Sequence, residues 1–123
     1  NLFDKRMSEL GLTRSQWWIL NYLYFNEGIN QSEFAKLLDL EKAPLSRLLD
    51  RMEKKGWIIR KSDKVDKRIK TVFLSKKIKP IIMKMRDKAQ QTRQEALSNL
   101  SYIEDQNLRH YLKRIKDTLV NKS

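Results

Sequence analysis

From Leu2 to Met52 the apolar positions return at helical spacing, so that they gather on one side of each helix. Leu2, Phe3, Met7 and Leu10 make a first short stripe, and Gly11 is placed to end it as a C-terminal cap residue. Thr13, with Gln16 three residues on, has the form of a capping box and opens a second helix, RSQWWILNYLYFNE, which Gly28 closes. Trp17, Leu20 and Tyr24 share one face of it, with Leu23 beside them. Asn30 caps a short third helix, QSEFAKLLDL, whose Phe34, Leu37 and Leu38 point one way. A fourth helix, EKAPLSRLLDRMEKKG, takes Pro44 in its first turn, where a missing N–H costs nothing. Leu45, Leu48, Leu49 and Met52 form its apolar face, and Gly56 is its stop.

Beyond Gly56 the pattern changes. Trp57–Lys61 and Ile69–Leu74 read as two strands joined by a polar turn. Such a hairpin is marginal alone, so it must lean on the helices before it through Ile69, Val72 and Leu74. Ser75 then caps a long helix striped by Ile78, Ile81, Ile82, Met85 and Ala89, with Pro80 marking an irregular first turn. Ser101 and Glu104 form a second capping box. The helix it opens carries Ile103, Leu108, Tyr111, Leu112, Ile115 and Leu119. The expected fold is mainly α with a small β-hairpin. Residues 13–74 are predicted to form one compact unit. The flanking segments, 1–12 and 75–123, carry more apolar stripe than that unit can cover, so they are expected to be dimerisation helices that pack on a second copy.

Charge sharpens this picture. The chain of 123 residues carries a net charge of +12, unevenly spread. Residues 1–41 hold 4 basic and 6 acidic side chains, 42–70 hold 11 and 4, and 71–123 hold 12 and 5. The densest positive stretch thus covers the fourth helix and the hairpin. A field of this sign attracts polyanions, nucleic acid first and anionic membrane second. No apolar run approaches the roughly 18 residues of a membrane span, and no signal-peptide pattern opens the chain, so no membrane partner is expected. The first residue is Asn1 rather than Met, which predicts that natural N-terminal sequence precedes it. There is no cysteine, which excludes disulfides, thiolate metal sites and cysteine redox sensing and fits a cytoplasmic location.

Two short helices joined by a tight turn, the second basic and leading into a hairpin, are the layout of a winged helix-turn-helix. A helix about 10–12 Å across fits the major groove, with its N-terminal turns at the base edges. The fourth helix offers Lys42, Ser46, Arg47 and Arg51 on its outer side, and Arg47 and Arg51, four apart, share a face. Arginine to guanine is the commonest specific base contact, and Ser46 can donate to a phosphate or a base. A solvated helix face is the plain alternative. The hairpin tip, KSDKVDKRIK, adds Lys64, Lys67, Arg68 and Lys70 where nothing is buried. Arginine suits the narrow minor groove, where the negative potential is deepest.

In four successive pieces the chain resembles the MarR-type winged-helix regulators, and within them the SlyA-like members. These are LTRSQWWILNYL, NQSEFAKLL, LEKAPLSRLLDRMEKKGWIIR and DKRIKTVFLS. The last carries Asp66, Arg68, Leu74 and Ser75 at the family's wing positions. The resemblance implies a homodimeric transcription regulator, a repressor or counter-silencer, that binds double-stranded DNA. Arg47 matches the base reader of the recognition helix; Lys42, Ala43, Pro44 and Ser46 match neighbouring groove contacts; Arg68 matches the minor-groove arginine. Asp66 matches the acid that holds the wing in shape, or is a plain turn aspartate. A dimer with recognition helices about 34 Å apart requires a pseudo-palindromic duplex. Family members often bind small aromatic anions between the dimer helices and the winged domain. Met7, Arg14, Trp17 and Trp18 are the candidate lining groups here, although both tryptophans also read as core. His110 reads as a surface or dimer-interface histidine.

Two other classes remain to be weighed. An enzyme would need a phosphate-binding glycine loop, a nucleophile elbow or clustered carboxylates, and none is present. One histidine and no cysteine leave no material for a metal site, and no cofactor is expected. A winged helix that binds only protein would not need Arg47 facing outward or Arg68 at the wing tip.

Overall fold

A computed structural model describes residues 1–122; the last residue of the expected segment 75–123, Ser123, lies outside the described residues. The elements are α1 Leu2–Glu9, α2 Arg14–Phe25, α3 Gln31–Leu38, α4 Lys42–Lys54, β1 Ile58–Ser62, β2 Lys70–Leu74, α5 Lys79–Ala96 and α6 Tyr102–Lys122. This is the mainly helical fold with one hairpin that the pattern of apolar positions predicts. The chain falls into two compact units, residues 1–88 and those from Ala89 onward.

The caps explain why the first helices start and stop where they do. The Asn1 side chain accepts from the Asp4 N–H and caps α1. At its other end Leu12 N–H reaches Met7 O and Gly11 N–H reaches Ser8 O, with Gly11 at φ +81. That paired arrangement satisfies the last carbonyls and needs a left-handed residue, which glycine supplies at no steric cost. Thr13 and Gln16 form the full reciprocal capping box of α2. That helix stops at Phe25, two residues short of the expected Glu27. Asn26 ends it, its side-chain amide donating to Tyr22 O at 2.8 Å.

The first unit packs around Met7, Ile19, Leu20, Leu23, Phe34, Leu38, Leu45, Leu49, Met52, Ile58, Val72, Ile78 and Ile82, all buried. Three expected core positions differ. Tyr24 is exposed, and the buried face of α2 runs through Ile19 instead. In α3 the third buried position is Ala35, and Leu37 is exposed. Ile69 lies outside β2 and is exposed, so Val72 and Leu74 alone tie the second strand inward.

β1 and β2 pair antiparallel from Ile58↔Leu74 to Ser62↔Lys70. The loop before α3 joins the other edge of β2. Gly28 N–H reaches Val72 O at 2.8 Å, Val72 N–H reaches Ile29 O at 3.0 Å, and Asn30 bridges Thr71. Glu27 Oε1 accepts from Leu74 N–H at 3.0 Å. The Phe73 ring lies only 3.4 Å from where a Cβ on Gly28 would stand, at φ +90, so this crossing admits only glycine without strain. The hairpin therefore leans on α2 as well as on α4.

Ser75 belongs to the hairpin base, where its N–H reaches Trp57 O and its hydroxyl donates to Gly56 O at 2.6 Å, and its Oγ also accepts from Ile78 N–H at 3.4 Å, a cap-type bond ahead of the long helix. Regular α5 itself begins at Lys79, later than expected, with Pro80 in its first turn. In the second unit Ser101 and Glu104 cap α6 as expected, at 2.9 and 3.2 Å. No described side chain of α6 is buried. Ile103, Tyr111, Leu112, Ile115 and Leu119 are each more than half exposed, an apolar stripe that stands in water in the single chain.

Candidate nucleic-acid interface

The hairpin tip is built by two aspartates. Asp63 Oδ2 accepts the N–H groups of Val65 and Asp66, both at 3.0 Å, which folds the turn. Asp66 then turns outward. Its Oδ1 accepts from Arg68 N–H at 3.0 Å and from Nε at 3.1 Å, and its Oδ2 from Nη2 at 3.1 Å. The side-chain hydrogen bonds from Arg68, followed by its backbone N–H, hold the Asp66 carboxyl below its ordinary range. Asp66 thus acts both as a turn residue and as the group that aims Arg68. The Arg68 side chain is 91% exposed, presented to solvent while held by a two-pronged ion pair.

On α4 the buried stripe of Leu45, Leu49 and Met52 turns the opposite face outward. Lys42, Ala43, Arg47 and Arg51 are exposed there, and Pro44 and Ser46 are half-buried. Lys64 and Lys67 stand exposed on the hairpin tip. Lys42, Arg68 and Lys70 meet in one cleft of about 470 Å³ that also takes in the start of α3, through Asn30, Gln31, Ser32, Glu33 and Lys36. Lys70 Nζ donates to Ser62 Oγ at 2.9 Å at its rim. Four cations meet Glu33 there, one of them, Arg68, already held by Asp66, beside the N–H groups that open a helix. Such an arrangement suits a phosphate.

The sequence reading did not include the contribution of α3, because Lys36 comes to the wing only through tertiary packing. Nor did it single out Arg60. That guanidinium reaches from β1 to two carboxylates on α4: Nη2 pairs with Asp50, and also with Glu53 Oε1 at 3.0 Å. Burial pulls Arg60 down, but its hydrogen bonds to Glu53 and Asp50 outweigh this and leave it raised. Side-chain hydrogen bonding from Arg60 holds Glu53 below its usual range.

A second cleft, of about 590 Å³, is lined by Asn1, Phe3, Asp4, Arg14, Ser15, Trp17 and Trp18. It brings together three of the four candidate effector groups. Met7 is the exception: it is fully buried in the core on the inner side of α1, so it cannot line the cleft, and Phe3 takes that place. Phe3 packs edge-on to Trp17 at 4.8 Å. Arg14 is already paired with Asp4, whose carboxyl it lowers chiefly through side-chain hydrogen bonding. Trp17 Nε1 is buried without a hydrogen-bond partner, although it lies close enough to Asp4 to add weakly to that lowering.

Residues 10–69 match the model of the MarR family. The transcriptional regulator SlyA superposes with a TM-score of 0.80 at 30% identity, over 98% of this chain and 85% of its own. The chain belongs to the MarR family. A mutant MarR from E. coli complexed with operator DNA has the same fold, with a TM-score of 0.77 at 30% identity over 93% of this chain and 82% of that one. A mutant MepR from S. aureus bound to an oligodeoxyribonucleotide gives 0.69 and 27%, over 95% and 86%. The chain has the winged-helix architecture of this family's DNA-binding transcription regulators, which are not enzymes. Among the described residues no helix is long and apolar enough to cross a membrane.

Proposed function

We propose that the protein is a homodimeric, sequence-specific DNA-binding transcription regulator of the SlyA-like kind, acting in the cytoplasm as a repressor or counter-silencer. Arg47 and Arg51 read base edges from α4 in the major groove, with Lys42, Ala43, Pro44 and Ser46 at its entry. Arg68 enters the minor groove, and Lys64, Lys67 and Lys70 hold phosphates beside it. The observation that carries this reading is the shared cleft, in which Lys36, Lys42, Arg68 and Lys70 converge; the backbone of a duplex lying against α4 is proposed to pass there. Two relatives of the same fold are solved with DNA.

The segments 1–12 and 75–123 supply the dimer contacts, and the exposed stripe on α6 is the main support for this. The effector is a small aromatic anion stacked on Trp17 and Trp18. Because Asp4 already holds Arg14, the anion has to take the guanidinium over from it.

Fluorescence anisotropy against a bound duplex tests the reading. Arg47→Ala should relax the preference at one base position and cost about ten- to a hundred-fold in affinity. Arg68→Ala should weaken binding most where the minor groove is narrow. If both variants bind as the wild type does, the assignment of helix and wing fails.

A further inference from the structure

We infer that Arg60 is a positioning residue that clamps the wing to the recognition helix and neutralises the two carboxylates which that helix would otherwise turn toward DNA. The inference rests on the DNA-reading role proposed above for α4 and Arg68, and adds a residue that touches no nucleic acid.

α4 is not uniformly basic. Asp50 and Glu53 interrupt Arg47, Arg51 and Lys54, and their side chains are 51% and 41% exposed. Asp50 adjoins Arg51 in sequence and lies three residues from Arg47. A carboxylate this close to the reading face repels phosphates and competes for the arginines. The Arg60 side chain is only 16% exposed and lies against both. Its Nη2 pairs with Asp50 and with Glu53 Oε1, its Nε approaches Glu53 Oε2 at 3.5 Å, and its backbone N–H donates to the same Oε2 at 3.2 Å. Side chain and main chain of one strand residue are thus fixed to one helix. A lysine carries the same charge but lacks the planar fork that spans two carboxylates.

The clamp holds the β1 edge of the wing, as the Gly28–Asn30 loop holds the β2 edge. Arg60 sits opposite Val72, and the ladder continues through Ser62↔Lys70 to the tip that carries Arg68. A rotation of β1 away from α4 would therefore carry Arg68 with it and change the distance between the major-groove and minor-groove contacts. Arg60 stays charged and Glu53 ionised at neutral pH, so the pair is in force where the protein works.

D50N/E53Q removes both negative charges, and with them the two ion pairs of Arg60, from exposed positions and leaves the core untouched. In the DNA-free variant, amide hydrogen exchange at residues 60–70 should be about tenfold faster while α4 is unchanged. On a duplex that the wild type binds, Arg68→Ala should cost about tenfold in the wild-type background and less than about threefold in D50N/E53Q, the non-additivity of coupled sites. R60Q should lose about tenfold, and adding D50N/E53Q to it should recover the part of that loss due to the uncovered carboxylates but not the part due to the lost clamp. Wild-type exchange rates in D50N/E53Q overturn the clamp, as does an equal cost of Arg68→Ala in both backgrounds. A triple variant no better than R60Q overturns the neutralisation. A wild type that binds no duplex would instead defeat the DNA-reading role, and the exchange experiment would then decide the clamp by itself.

Discussion

The phosphate cleft makes the most quantitative prediction. Lys36 and Lys70 reach it from α3 and β2, and replacing both by glutamine removes two of its four cations. Each Lys or Arg that neutralises a phosphate releases counterions and adds about 0.9 to the slope of log affinity against log salt. In a dimer the cleft occurs twice, so replacing Lys36 and Lys70 removes about four contacts and should make the slope shallower by about 4. When salt is raised from about 50 to 200 mM, the variant should therefore lose about a hundred-fold less affinity than the wild type does. Both lysines are exposed, so the fold should be unaffected, which circular dichroism can confirm. The assay is anisotropy of a labelled duplex at five or so salt concentrations. A slope within about one unit of the wild type would show that Lys36 and Lys70 do not hold phosphates.

Other consequences follow from the same geometry. Leu49→Ala empties a fully buried site on α4 and should cost about 2–5 kcal/mol in urea unfolding; a change under about 1 kcal/mol would mean the recognition helix is not anchored as described. Glu53 has a folded-state pKa below its unfolded one, so its pair with Arg60 stabilises the protein above the ordinary glutamate range and is lost as pH falls through the lowered value. Urea midpoints should therefore drop more steeply between about pH 5 and pH 3 in the wild type than in Glu53→Gln, and parallel curves would contradict the pairing. Ile115→Glu places a charge in the exposed stripe of α6; light scattering should show a dimer turned to monomer with helix content kept, and an intact dimer would exclude that stripe as the seam.

Much of this was legible in the sequence where local chemistry decides. Thr13 with Gln16, Asn30, Gly11 and Ser101 with Glu104 each fix a helix end through groups within a few residues, and all act as caps or stops in the structure. Alternation around Val72 and Leu74 likewise marks β2. The buried face of α2 was not legible. Trp17, Trp18, Ile19, Leu20, Tyr22, Leu23, Tyr24 and Phe25 leave almost no polar position to mark the outside, so Tyr24 and Ile19 exchange places. The bond of Gly28–Asn30 to β2 is too short to leave a strand pattern. At the interface, Arg47 and Arg68 could be named from motif and spacing, and the structure leaves both exposed. Lys36 and Arg60 could not, because their partners lie across the fold rather than along the chain. Met7 failed for a different reason: helical spacing put it on the apolar stripe of α1, where it is buried, and only the resemblance brought it forward as an effector-lining group.

Selection of bound sequences from a random duplex pool tests the central claim most directly. Two recognition helices related by a two-fold axis predict enrichment of a pseudo-palindrome, with half-sites about 10 base pairs apart centre to centre. Enrichment of a single asymmetric site, or none at any salt concentration, would contradict it.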